Sequence, residues 1–228
     1  MSFRRVDSTP RRFRDREEAG KILAARLHHL AGDPHLLVLA LPRGGVPVAF
    51  EIALALGAPL DVFVVRKLGV PGHEELALGA IASGPVVVLN EDVVRALRIT
   101  REMIEGIAAQ EMRELERRER AYRGTRPPVD PAGRVVILVD DGLATGATMR
   151  AAVRALRGKN PERLIIGVPT AAPQTCDEFR TEVDDIVCAM TPEPFEAVGL
   201  WYEDFSQTTD AEVQALLQRA AERAQEAS

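Results

Sequence analysis

Residues 134–149 read RVVILVDDGLATGATM, and this stretch decides both fold class and chemistry. Val135 to Val139 is an apolar run without polar alternation, the pattern of a strand covered on both faces in a parallel sheet. It ends in two adjacent carboxylates, Asp140 and Asp141. A small-residue run, Ala144-Thr145-Gly146-Ala147-Thr148, then opens into a helix expected from about Ala147 to Arg157. Small side chains let backbone N–H groups approach an anion, the threonine hydroxyls add donors, and the helix N-terminus supplies positive potential. The two carboxylates would repel a bare phosphate but suit vicinal hydroxyls, which donate to both. The residues therefore describe a sugar-phosphate site, with the diol at Asp140 and Asp141 and a 5-phosphate on residues 144–148. Such a site lies at the carboxyl ends of the strands, where open α/β sheets take ligands. The plainer alternative is a capped strand-to-helix turn, with Thr145 and Thr148 as caps. It leaves two buried acids without a ligand, which is costly.

The flanking sequence repeats the strand–helix pattern. Asp15 with Glu18 reads as a capping box, followed by a stripe of Ile22, Leu23, Arg26, Leu27 and Leu30. Leu36 to Leu41 is an apolar strand ending at Pro42-Arg43-Gly44-Gly45. A helix with Pro47 in its first turn and Gly57 at its end leads to a strand over Leu60 to Val65. Arg66 to Gly84, with four glycines and Pro71, reads as a long loop into a short strand, and Val86 to Leu89 is another β-branched run. A helix over about Thr100 to Arg123 carries Met103, Ile104 and Ile107 first, then charges with i,i+4 pairs at Glu114–Arg118, Glu116–Arg120 and Glu119–Arg123. A solvated face or an oligomer contact accounts for that half. Pro127 to Pro131 is a stiff connector. Strands over Arg163 to Val168 and Asp185 to Met190 flank a helix near Pro173 to Thr181. An irregular aromatic segment follows, then a terminal helix from about Asp210. The expected fold is a doubly wound, mostly parallel α/β sheet flanked by helices, in a single domain over residues 1–228.

Residues 140–148, DDGLATGAT, closely resemble the phosphoribosyl-diphosphate (PRPP) signature of the type I phosphoribosyltransferases. Gly142 stands where an aliphatic residue is commoner. Ala144 stands where the 6-oxopurine enzymes carry an aspartate, which removes support for that class, and the Ala-Thr-Gly form is similar to the adenine enzyme's loop. The resemblance implies a core over about residues 33–190 and a small hood from about 1–32 and 191–228. It implies that Arg43, Gly44 and Gly45 bind pyrophosphate, often across a strained or cis peptide in the family. Arg66 to Gly84 takes the place of a mobile catalytic loop, with Arg66 and Lys67 at its base on the diphosphate and His73, Glu74 and Glu75 within it. Arg43, Lys67, His73 and Glu74 are the catalytic candidates. Trp201 and Tyr202 are candidates to stack a planar acceptor or to anchor a flap. LPRGG (41–45), VRKLGVPGHEELALGAI (65–81), DDGLATGAT and PFEAVGLWYEDF (194–205) together resemble a subfamily described only as predicted phosphoribosyltransferases, whose acceptor is unassigned. The implied activity is transfer of the 5-phosphoribosyl group of PRPP to a nitrogenous acceptor, a nucleobase first, with loss of pyrophosphate. Mg²⁺ is the implied cofactor, reaching the site through substrate oxygens and water rather than direct protein ligands. A PRPP-binding regulator and a phosphosugar hydrolase are the rivals.

Composition bounds the partners. The 228 residues carry a formal net charge of −5, which disfavours a globally basic nucleic-acid binder. Arg4, Arg5, Arg11, Arg12, Arg14 and Arg16 form a basic arm read as a solvated terminus. Lys21, Lys67 and Lys159 are the only lysines among 29 cations, and Lys67 alone stands beside a motif. Cys176 and Cys188 read as small buried hydrophobes. The N-terminus lacks the apolar run of a secretory signal, and Leu36 to Val65 is too interrupted to span a membrane. A cytoplasmic homo-oligomer, a dimer first, is expected.

Overall fold

The structure, a computed structural model, describes residues 12–70, 73–84 and 86–226. Helix α1 (Arg16–Arg26) precedes β1 (Leu36–Ala40), α2 (Gly45–Leu56) and β2 (Leu60–Val62). Then come β3 (Val65–Val70), β4 (His73–Ala82), β5 (Val86–Leu89), α3 (Glu91–Ala96) and α4 (Arg101–Arg123). The second half runs β6 (Val135–Val139), α5 (Ala147–Arg157), β7 (Arg163–Thr170), α6 (Pro173–Phe179), β8 (Asp185–Met190) and α7 (Asp210–Glu226).

The main sheet is wholly parallel, in the order β2-β1-β6-β7-β8. β1 and β6 pair in register from Leu36↔Val135 to Ala40↔Val139. Alternate residues serve two cores. Leu36, Val38 and Ala40 join Val135, Ile137 and Val139 against Leu23 of α1 and Leu27 directly after it, Val48 and Ile52 of α2, and Val213 and Leu217 of α7. Leu37 and Leu39 join Val136 and Leu138 against Met149 and Val153 of α5 and Phe179 of α6. Each of the valine, leucine, isoleucine, methionine and phenylalanine side chains contributes about 1.5–3 kcal/mol on leaving water. Both faces of the sheet are therefore covered, as the unbroken apolar runs require.

Three expectations are corrected. Arg66 to Gly84 is not a long loop: β3, β4 and β5 form a separate antiparallel sheet. Gly69 and Gly79 lie within its strands, and a Cβ at Gly79 would collide with the Val88 carbonyl across the pair. That sheet lodges between helices, with Leu68, Leu78 and Ile81 in the α1/α2 core and Ala82 in the α5/α6 core. The charged half of α4 is not simply a solvated face. Leu115 and Tyr122 are buried, and Arg123, 7% exposed, donates from Nε to Asp61 at 2.7 and 3.0 Å and from Nη2 to the Val62 carbonyl at 2.6 Å. All three expected i,i+4 pairs do form. Finally, Cys176 and Cys188 are joined by a disulfide, because α6 and β8 bring these two outwardly ordinary apolar positions face to face.

Helix α1 packs across α2, β7 and β8, within the helical layer of the core. It caps as expected, Asp15 accepting from the Glu18 amide at 2.8 Å, but Ile22 is exposed and Ala19, Leu23 and Ala24 form its buried face. Among the described residues, no helix is long and apolar enough to cross a membrane. Arg4, Arg5 and Arg11 of the basic arm, and the side chains of His73, Glu74 and Glu75, lie outside the described part.

Candidate functional site

β1 and β6 are neighbours whose following helices leave to opposite faces, α2 to one core and α5 to the other. Their carboxyl ends consequently diverge and leave a crevice, the place where doubly wound sheets bind ligands. Residues 42–45 line one side and residues 140–148 the other. The two sides touch: a Cβ at Gly44 would collide with the Asp141 carboxylate, and one at Gly45 would lie 2.7 Å from the Val139 carbonyl. The Pro42–Arg43 peptide is cis.

The two acids have different surroundings. Arg16, at the first turn of α1, donates from Nε at 2.9 Å to Oδ2 of Asp141, and its Nη2 lies 2.8 Å from the same oxygen. Its Nη1 donates to the Ser206 carbonyl at 2.7 Å, and its guanidinium lies 4.0 Å from the centroid of Phe205. The Tyr202 hydroxyl donates to the Asp141 carbonyl at 2.6 Å. Asp140 is half-buried, and its carboxylate accepts the Asp141 amide at 2.9 Å. Burial, and then the Asp141 charge, push the Asp140 carboxyl well above the usual range. Burial also raises Asp141, against the pull of the Arg16 guanidinium. An acid pair held in this way suits a ligand that brings hydrogen-bond donors.

Residues 144–148 form an open anion cradle. Gly146 takes a left-handed conformation (φ 72°) directly before α5. Among the described residues, no side chain caps that helix, so the alternative of Thr145 and Thr148 as its caps is not realised. Ala144, Thr145, Ala147 and Thr148 are exposed. The loop is held from below: the Leu143 amide donates to the Thr170 carbonyl at 2.9 Å, and Thr175 Oγ1 donates to the Ala144 carbonyl at 2.6 Å. Phe179 lies under Gly146, where a Cβ would come within 2.7 Å of its ring.

The remaining candidates are distributed more widely. Arg43 lies beside the crevice with Nη1 3.6 Å from Asp210 Oδ1, an oxygen that also accepts from Tyr122 Oη at 3.1 Å. Arg66 is taken by α4, through Glu111 and, at 3.9 Å, Glu114. Lys67 is exposed on β3 and makes no ion pair among the described residues. Trp201 is half-buried and stacked on Phe195 with centroids 6.3 Å apart. Its indole N–H is buried without a partner among the described residues. Tyr202 is 3% exposed between Phe13 and Phe205, and burial pushes its hydroxyl well above the usual range. Among the described residues, no group of three or more His, Cys, Asp or Glu is arranged to hold a metal.

Arg16, Thr175 and Asp210 are additions to the candidates read from sequence. The sequence groups Arg16 with a solvated arm, and nothing local distinguishes it from Arg12 or Arg14. Its role depends on a contact across 125 positions. Thr175, in contrast, sits in the first turn of a helix beside the loop strand, a position that the strand order makes informative.

The family model for a phosphoribosyl transferase domain matches residues 14–198. The "Putative phosphoribosyl transferase Rv0571c" of Mycobacterium tuberculosis strain H37Rv is 46% identical over 208 residues, covering 91% of this chain and 47% of that one. The chain thus spans about half the length of the curated relatives it matches. The crystal structure of TT1426 from Thermus thermophilus is similar at 42% identity and a TM-score of 0.81, covering 91% of this chain and 98% of that chain.

Proposed function

The chain belongs to the phosphoribosyl transferase domain family, and on that premise we propose that it transfers the 5-phosphoribosyl group of PRPP to a nitrogenous acceptor, a nucleobase first, releasing pyrophosphate. The observation that carries this reading is the crevice between β1 and β6, where an uncapped helix N-terminus, an acid pair and a Gly-Gly turn meet. In this reading the amides and hydroxyls of residues 144–148 take the 5-phosphate, and the acid pair takes the ribose diol. Gly44, Gly45 and Arg43 take the diphosphate through backbone amides and guanidinium. Lys67, without an acid partner among the described residues, is the second cation for the leaving group, while Arg66 fastens the β3–β4 hairpin to α4. His73 and Glu74 belong to that hairpin, which in this reading covers the reacting carbon and excludes water.

The acceptor nitrogen attacks the anomeric carbon, the bond from that carbon to the diphosphate oxygen breaks, and its electron pair leaves with pyrophosphate. The proton released by the acceptor passes to solvent or to a nearby carboxylate. Mg²⁺ would be held by the substrate's own oxygens and water beside the acid pair, rather than by protein ligands, and would neutralise diphosphate charge there. Trp201 forms the acceptor wall, with Tyr202 bracing it through Asp141. A hood built from the Arg16 end of α1 and residues 195–206 would close the site.

The test is a screen of purines, pyrimidines and small amides with magnesium PRPP, reading pyrophosphate release. Release that depends on one acceptor is expected. Phosphate released from a phosphorylated sugar with no acceptor would replace this reading with a hydrolase. PRPP binding without turnover on any acceptor would favour a regulator.

A further inference from the structure

The paired acids of a PRPP motif are expected to act alike on the ribose diol, yet here they are held by different neighbours. Asp141 is surrounded. Two guanidinium nitrogens of Arg16 lie 2.8 and 2.9 Å from its Oδ2, and Gly44 is packed so closely that no side chain fits between them. The Asp141 backbone carbonyl is taken by the Tyr202 hydroxyl. The Arg16 guanidinium is itself over-determined, by the Ser206 carbonyl at 2.7 Å and the ring of Phe205 at 4.0 Å. Only 11% of the Arg16 side chain and 16% of that of Asp141 is exposed. Among the described residues, no cation pairs with Asp140, whose carboxylate accepts the Asp141 amide at 2.9 Å.

From this asymmetry we infer that Arg16 is a positioning residue that commits Asp141 to latching α1 and residues 202–206 onto the crevice, leaving Asp140 as the carboxylate that receives the ribose diol. The inference rests on the proposed sugar-phosphate reading and deepens it. It assigns unequal work to two adjacent acids and draws a residue remote in sequence into the ribose site. An arginine does this better than a lysine, because a planar guanidinium can contact a carboxylate oxygen with two nitrogens while stacking on an aromatic ring. The latch also explains why the Pro42–Gly45 turn carries glycine at 44: the latched carboxylate occupies the space a Cβ would need.

Calorimetric titration of the full chain with ribose 5-phosphate, and separately with magnesium pyrophosphate, tests the assignment. Asp140→Asn is expected to weaken ribose 5-phosphate binding about tenfold or more, the scale of a lost hydrogen bond to a charged group. Arg16→Met and Asp141→Asn are each expected to weaken it by a smaller, matching factor of about 3–5. The Arg16→Met/Asp141→Asn double variant should be no weaker than either single one, since the second change removes a contact already gone. Arg16→Lys, which keeps the charge but not the two-nitrogen contact, should fall between wild type and Arg16→Met. Pyrophosphate affinity should stay within about twofold throughout. The proposal is overturned if Asp141→Asn costs as much ribose affinity as Asp140→Asn and keeps that cost in the Arg16→Met background. A parallel loss of pyrophosphate affinity would equally overturn it, because the changes would then be merely structural. If wild type binds no ribose 5-phosphate, the proposed function falls, and thermal midpoints decide the latch by themselves. A latch requires non-additive Arg16 and Asp141 changes with additive Arg16 and Asp140 changes, and the reverse pattern rejects it.

Discussion

Two arginine–aspartate contacts, one at the edge of the sheet and one at its centre, use the same chemistry for different ends. At the edge, Asp61 receives Arg123 on both oxygens, together with the amides of Val62 at 2.7 Å and Val129 at 3.1 Å. Arg123 has further acceptors in the Val62 carbonyl and in Glu119 at 3.0 Å. This network ties the end of α4 to β2 and to the Pro127–Pro131 connector. At the centre, Arg16 secures Asp141, but the adjacent Asp140 carries a second carboxylate into the same half-buried space. A buried acid whose partners are complete is structural, whereas an acid beside an already latched one remains available. The difference separates fold from function without reference to residue type.

The largest effect should come from breaking the Asp61 network. Arg123→Met leaves Asp61 buried and unpaired and should lower unfolding free energy by about 3–5 kcal/mol, read from the urea midpoint. Ligand affinity of the remaining folded protein should not change.

A smaller effect, of opposite sign, is expected at the crevice. Because burial raises the Asp140 carboxyl, the native chain holds its proton more tightly than the unfolded chain does. The corresponding stability is full below the unfolded value near 4 and is lost as pH rises through the folded value. Asp140→Asn should therefore melt higher than wild type at pH 7, with the gap narrowing toward pH 4, while binding ribose 5-phosphate less well. Thermal melts across that range check the sign, and a gap that widens toward acid would contradict it.

Smaller still is the support under the anion cradle. Thr175→Val removes one hydrogen bond to the Ala144 carbonyl and should cost about 0.5–1.5 kcal/mol of stability. It should also weaken phosphate binding at residues 144–148 without altering the Asp61 network, a selectivity that calorimetry with inorganic phosphate reads.

How much of this is legible in the sequence varies with the range of the contacts involved. β6 and α5 have the bounds expected from RVVILVDDGLATGATM, since a doubly covered strand and a small-residue helix entry are local signals. The terminal helix likewise begins at Asp210 as expected. The β3–β4 hairpin is not legible, because four glycines imitate a loop when the cross-strand neighbour requiring Gly79 is unknown. Helix α3 is six residues long and buries none of them, so it leaves no apolar stripe to read. Arg123 looks like one member of a charged helix face, and its burial depends on Asp61, 62 positions away. Arg16 escapes for the same reason. The motif residues of the site can be read from the sequence, but the residues that hold them cannot.

The central claim is that the crevice between β1 and β6 binds PRPP through its acid pair. Isothermal titration of magnesium PRPP into wild type and into Asp140→Asn/Asp141→Asn tests it most directly. Saturable binding by wild type, weakened by about thirtyfold or more in the double variant, is the predicted result for the loss of the diol's carboxylate at Asp140 together with the latch at Asp141. Absence of binding by wild type, or equal affinity in the two proteins, would contradict the claim.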